Sequence, residues 1–367
     1  MNNFGSKIKI KRKLRKTFLD LINISEVYPN EKEIIEYIEH RLEKFGIDNQ
    51  RDSFGNLIAK ISNEGNPVLL NTHMDVPEAN PNVKYIEEGD IIKADGTNIL
   101  GADPKSGLAV ILELLEFQAN NKNKKNYSIE AVFTRGEEDG LWGAMNLDYS
   151  LLDSKKGIVL DEDGPVTQVV IQAPASVKFD AKFIGKPVHP REPENGINSL
   201  QVASEAISSV EWGYSHREVT WNIGQMSSGT ARNTVPGETE LLAELRSFDS
   251  DLVWKESKRI EGIFKKVANK HKAKCKIDKE LSFGSYKINQ QEKIIKKLKE
   301  VYSEMDLKPN FFATFGCSDA NIINNKGIQV VAVGSGYYNA HQYSEYIDLG
   351  AMVDIYNFLQ RFLKNNK

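Results

Sequence analysis

Cysteine is scarce in this chain: 367 residues carry two, Cys275 and Cys317, which offer no disulfide framework. Long hydrophobic runs are missing too, and none approaches the ~20 residues that a bilayer-spanning helix needs. Nor does charge of one sign prevail. Lysine and arginine total 48 against 51 aspartates and glutamates, for a net charge of −3. That balance carries no global nucleic-acid signature. One local exception is KIKIKRKLRK at 7–16. No apolar stretch of signal-peptide length follows it, so the expected address is the cytoplasm. The run reads as the solvated face of an amphipathic helix with Leu14, Phe18, Leu21 and Ile22 on its inner stripe, in preference to a patch for RNA or anionic lipid. No internal repeat and no low-complexity linker occurs. What remains is a globular composition, 40% hydrophobic and 27% charged, in a chain long enough for two domains.

Within that ordinary composition, several polar residues share an unusual setting. His73 follows PVLLNT, Glu137 and Glu138 follow SIEAVFTRG, Asp161 ends GIVLD, and His341 comes shortly after IQVVAVGSG. Each run is apolar and β-branched, as in parallel strands covered on both faces. Taken singly, the polar residues have ordinary explanations: a structural histidine, a solvated Glu-Glu pair, an aspartate capping a turn. Together they fall beyond the carboxyl ends of strands, where open α/β sheets build their sites. With Asp103 in LGADPKSG, the ligand candidates His73, Glu138, Asp161 and His341 supply two imidazoles and three carboxylates. That donor set can hold two divalent ions, and two such ions sharing an activated water form a hydrolytic device.

These residues carry a resemblance. HMD, LGADPKSG, the Glu-Glu pair, the aspartate of VLDEDG, GCSD and the late pair His341 and Glu345 resemble, in order and over nearly the whole chain, the zinc exopeptidase family that includes peptidase T, carboxypeptidase G and aminoacylase. NTHMD, FTRGEEDGLWGA and GYYNAH are most similar to its peptidase T-like members. The resemblance implies that His73 and Asp161 bind one metal, that Glu138 and His341 bind the other, and that Asp103 bridges them. It implies further that Asp75 orients His73 and that Glu137 is the general base. Where the family often has a second aspartate after the bridging one, this chain has Pro104. The family's bond at that point resembles a cis peptide, which a following proline suits.

Strand chemistry changes along the chain. In SVKFDAKF, Val177, Phe179, Ala181 and Phe183 alternate with polar residues, so one face meets water. ELLAELRS from Glu240 and KCKIDKELSF from Lys274 are mixed in the same way. The expected architecture is a discontinuous α/β catalytic domain at 1–174 and 286–367. An α+β lid at 175–285 is inserted in it, with an antiparallel sheet and helices near 196–210 and 252–271. By resemblance, His189 in GKPVHPREPENG would steady an oxyanion, while Asn233 in ARNTVPG and Arg246 in AELRSFD would hold substrate. Local chemistry offers other readings: Asn233 in a turn before Pro236, Arg246 paired with Asp249, and Asn198 opening a helix.

The function expected is metal-dependent hydrolysis of short peptides by an aminopeptidase, tripeptidase-like in preference. Carboxypeptidase or N-acyl-amino-acid hydrolysis with the same metals is the alternative, and a metal- or peptide-binding protein without turnover the remote one. Nitrogen and oxygen ligands without thiolate fit zinc, with cobalt or manganese as alternatives. The resemblance also implies a homodimer joined through the lid.

Overall fold

The computed structural model describes residues 3–63, 65–80, 82–121, 127–214 and 218–364. The chain divides into two compact units. One comprises residues 1–171, 287–313 and 317–367, and the other Gln172–Tyr286 with Thr314–Gly316.

The first unit is built on a mixed sheet. Seven of its nine strands run in the order Asp48–Arg51, Leu57–Ile61, Ile129–Thr134, Val68–His73, Lys156–Leu160, Gln329–Val333, Gln168–Ala173. The four middle strands, Ile129–Thr134 to Gln329–Val333 in that order, are mutually parallel. They are the apolar runs of the sequence, and Val68–His73 and Ile129–Thr134 are buried at every residue. Because the strands are parallel, the polar residues that follow them emerge at one end of the sheet.

Helix Ala102–Asn120 packs close against that end. A Cβ added at Gly107 would lie 2.9 Å from Thr72 Oγ1 and 3.0 Å from Leu160 Cβ, so only glycine admits this approach. Helices Asn3–Ile22 and Leu349–Lys364 pack beside it. Leu14, Phe18, Leu21 and Ile22 are fully buried, as the helical stripe predicts. The basic residues of Asn3–Ile22 meet acidic partners. Lys11 pairs with Asp90 at 2.5 Å, Arg15 with Glu87 at 2.7 Å and Lys13 with Glu113 at 3.1 Å. The run thus docks its own helix, and the exposed pairs to Asp90 and Glu87 are worth at most about 1 kcal/mol each. No helix among the described residues is long and apolar enough to cross a membrane.

A smaller sheet in the same unit escaped the sequence reading. Its order is Tyr337–Tyr338, Tyr346–Asp348, Ile91–Ala94, Tyr85–Glu88, all antiparallel. The hairpin between its first two strands carries His341. Pairing of Tyr346 with Lys93 ties that hairpin to the segment leading into Asp103.

The second unit is an antiparallel sheet in the order Gly213–Tyr214, Thr220–Ser228, Glu238–Ser247, Ala175–Ile184, Lys274–Phe283. Helices Ser199–Ser208 and Ser250–Lys270 pack on it. Val177, Phe179, Ala181 and Phe183 face these helices and join Leu241, Leu245, Val253, Ile260 and Phe264 in one core. Asn198 caps the first helix, accepting from Leu200 N and Gln201 N, and Asp249 caps the second. Phe315 packs on Phe248 within this unit, with ring centres 4.4 Å apart and planes tilted by 49°.

Candidate metal centre

His73 is the last residue of its strand and Asp161 follows Lys156–Leu160 directly, so sheet geometry alone sets them side by side. Asp103 stands at the start of helix Ala102–Asn120 with non-helical φ −81°, ψ 116°, and its bond to Pro104 is cis. His73 Nε2 lies 3.0 Å from Asp103 Oδ1 and 3.7 Å from Asp161 Oδ1. On the other side of the same carboxylate, His341 Nε2 lies 3.5 Å from Asp103 Oδ2 and 2.8 Å from Glu138 Oε1. Among the described residues, three groups of potential ligands result: His73–Glu137–Glu138, and two more, His73–Asp103–Asp161 and Asp103–Glu138–His341, each with its donor atoms within 4.8 Å of one another. Asp103 belongs to the last two, and its two oxygens face opposite histidines.

The loop residues are held by backbone capture. Asp75 Oδ1 accepts from Glu137 N at 3.0 Å and Asp75 Oδ2 from Glu138 N at 3.2 Å. Asp75 Oδ1 also lies 3.4 Å from His73 Nδ1, which leaves Nε2 as the nitrogen turned to Asp103 and Asp161. Glu345, buried to 1%, accepts from Leu100 N at 2.7 Å, Gly101 N at 2.8 Å and Asp103 N at 3.1 Å. It thereby fastens the Asp103 turn to the chain four residues beyond His341. His341 itself has φ 62°, a left-handed conformation rarely taken by a residue with a side chain and frequent at functional sites.

The electrostatics of the cluster call for positive charge. Burial would lower the affinity of His73 for a proton, yet the carboxylates of Asp103, Asp161 and Asp75 around its ring hold its pKa well above the usual range. Asp103 and Glu138 draw His341 up to about 10. Burial would raise Asp103, but His341 and His73 hold it below the ordinary carboxylate range. Burial pushes Asp161 and Glu138 up, and pushes Glu137 well up with the charge of Asp161 adding to it.

The donor set fits metal ions better than a hydrogen-bonded network. His73 Nδ1 and Glu138 Oε1 are buried without a hydrogen bond. The 2.8 Å approach of Glu138 Oε1 to His341 Nε2 lacks hydrogen-bond alignment, which is the relation expected of two ligands of one ion.

Three candidates from the sequence lie in the second unit and in none of these ligand groups. His189 is exposed and its Nδ1 accepts from Arg191 N at 3.2 Å. Asn233 is exposed in a turn. Arg246 donates to Phe315 O and to Glu244 Oε2, both at 3.0 Å, and its expected alternative partner Asp249 caps a helix instead. Sequence reading also assigned no role to Asp319 of GCSD. It is buried under the sheet end, where its Oδ2 accepts from Thr134 and Asn71.

Comparison with known proteins agrees with this geometry. The sequence profile of peptidase family M20/M25/M40 matches residues 69–365. The uncharacterized protein YqjE of Bacillus subtilis is 30% identical over 353 residues, covering 93% of this chain and 95% of its own. A tripeptidase structure from Staphylococcus aureus superposes with a TM-score of 0.88 at 32% identity, covering 96% of this chain and 98% of that one. Aminopeptidase PepT of Bacillus cereus gives 0.85 at 27% identity, again covering 96% and 98%.

Proposed function

This chain belongs to peptidase family M20/M25/M40 as a peptidase T-like member, and we propose that it removes the amino-terminal residue from short peptides, tripeptides in particular. The observation that carries the reading is the shared carboxylate, with Asp103 between His73 and Asp161 on one side and Glu138 and His341 on the other. These residues would hold two divalent ions, with zinc the best match to an all nitrogen and oxygen set. When bound, such ions polarise a scissile carbonyl and lower the pKa of a shared water toward about 7.

The remaining chemistry belongs to the chain's own residues. Glu137 is the general base: it adjoins the ligand Glu138 and lies close to His73. Its carboxylate removes the proton from the attacking water and returns it to the leaving amine. Asp75 holds Glu137 by its backbone and fixes the ring of His73. Tyr337 Oη stands 3.4 Å from Asp161 Oδ1 and steadies that carboxylate.

A panel of tripeptides, their N-acylated forms and their amides, with product sequencing, tests this reading. Release of the first residue from free tripeptides and no turnover of N-blocked ones is expected. Release of the last residue, or turnover of N-acyl amino acids alone, would move the assignment to the alternative chemistry, and no turnover of any would favour a binding protein. His189 is proposed as a donor to the oxyanion. Its replacement by alanine is expected to lower kcat by about 10²–10³ with metal content unchanged. Loss of thermal stability at unaltered kcat would make His189 a structural residue.

A further inference from the structure

The loop carrying Glu137 rests on residues that precede the span shared with the family profile, which begins at residue 69. Glu31, between helices Asn3–Ile22 and Lys32–Lys44, is fully buried. Its Oε2 accepts from Arg135 Nη2 at 2.7 Å and Nε at 3.2 Å, and its Oε1 accepts from Gly136 N at 3.0 Å. Consecutive backbone N–H groups, those of Gly136, Glu137 and Glu138, therefore all end on buried carboxylates, the first on Glu31 and the next two on Asp75.

Arg135 is itself fixed from several directions. It donates to Phe54 O at 2.9 Å and to Pro29 O at 2.7 Å. Its guanidinium lies 5.6 Å from the ring centre of Tyr28 and 5.8 Å from that of Phe54, within cation–π range of both. Gly136 completes the fit. Its φ is 57°, and a Cβ there would fall 2.6 Å from the Tyr28 ring, so Tyr28 seats directly against the residue before Glu137.

Burial of a charged pair with full hydrogen bonding is weak evidence for stability, since well-packed apolar residues often serve as well. Its particular product here is a fixed direction for the Gly136 N–H, one peptide from Glu137. We propose that Glu31, clamped by Arg135, is a positioning residue for the general base, so that the amino-terminal segment sets the orientation of Glu137. This rests on the assignment of Glu137 as the base. Neither Glu31 nor Arg135 is given any contact with substrate in this scheme.

The test is a kinetic double-mutant cycle on the full-length, metal-loaded protein with a tripeptide substrate. Glu31→Gln keeps the size of the side chain but leaves one acceptor oxygen where two are used. It is expected to lower kcat by about 10–100-fold, a loss in the range that misplacing a reacting group produces, with KM and the number of bound ions unchanged. In a Glu137→Gln background the same change should cost less than about twofold, because its effect passes through the carboxylate already removed. If Glu31→Gln does not fold, Arg135→Lys serves. It keeps the charge but loses the fork that reaches Glu31, and should reproduce the kcat loss and its disappearance in the Glu137→Gln background. Wild-type kcat in Glu31→Gln, an equal loss in both backgrounds, or a loss of bound metal would overturn the proposal. Wild-type kcat in Glu137→Gln alone would instead overturn the assignment of the base on which it rests.

Discussion

Glu137→Gln is expected to lower kcat by at least about 10²–10⁴-fold while the protein still binds two ions. The substitution keeps shape and removes only the capacity to accept a proton. Glu137 lies beside His73 and Glu138, with donor atoms of all three inside 4.8 Å, so it reaches the centre. Its backbone N–H stays on Asp75 in the variant, and Glu138 keeps its own contact with Asp75. Metal content measured on the purified variant should therefore match the parent. A kcat within a few-fold of the parent would remove Glu137 from the mechanism, and loss of an ion at the same time would recast it as a ligand.

Asp103→Ala should have an effect of similar size for a different reason. One carboxylate faces both histidines, at 3.0 and 3.5 Å, so its removal takes a donor at once from the two groups it belongs to. His341→Ala takes a donor from one group only, that of Asp103 and Glu138. Elemental analysis after gel filtration should find fewer than one ion per chain in Asp103→Ala and about one in His341→Ala, with hydrolysis lost in the first. Two ions retained in Asp103→Ala would show that the carboxylate does not bridge.

The parts of this site that were legible in the sequence are those tied to strand chemistry. Continuous apolar runs mark buried parallel strands, and His73 and Asp161 stand at their ends, so register alone brings them together. Alternation in SVKFDAKF likewise exposed the antiparallel sheet of the second unit, where Val177 and Phe179 point to the helices. Strand Thr220–Ser228 left no such trace. It is mostly exposed and its register shifts between Ile223 and Gln225, so burial imposes little period on it. The hairpin that delivers His341 consists of short strands of mixed burial and was equally silent.

The carboxylates that capture backbone N–H groups are harder still to read. Glu345 holds the turn at Leu100–Asp103 and Glu31 holds Gly136, each across more than a hundred residues of chain. Their partners are main-chain atoms, which every residue has, so no side-chain pattern announces the pairing. Glu345 was visible only as part of the late motif, without a role, and Glu31 was not visible at all. In the second unit the reverse holds. His189, Asn233 and Arg246 were singled out by resemblance; there His189 accepts from a backbone amide, Asn233 stands in a turn, and Arg246 donates to Glu244 and to Phe315 O.

The proposed activity is peptide hydrolysis through two ions held on either side of Asp103. Its most direct test is a titration of chelator-treated protein with zinc, following tripeptide hydrolysis and bound metal in the same samples. No turnover is expected at zero metal and full turnover as occupancy reaches two ions per chain, with Asp103→Ala showing neither. Full turnover in protein shown by elemental analysis to be free of metal would contradict it.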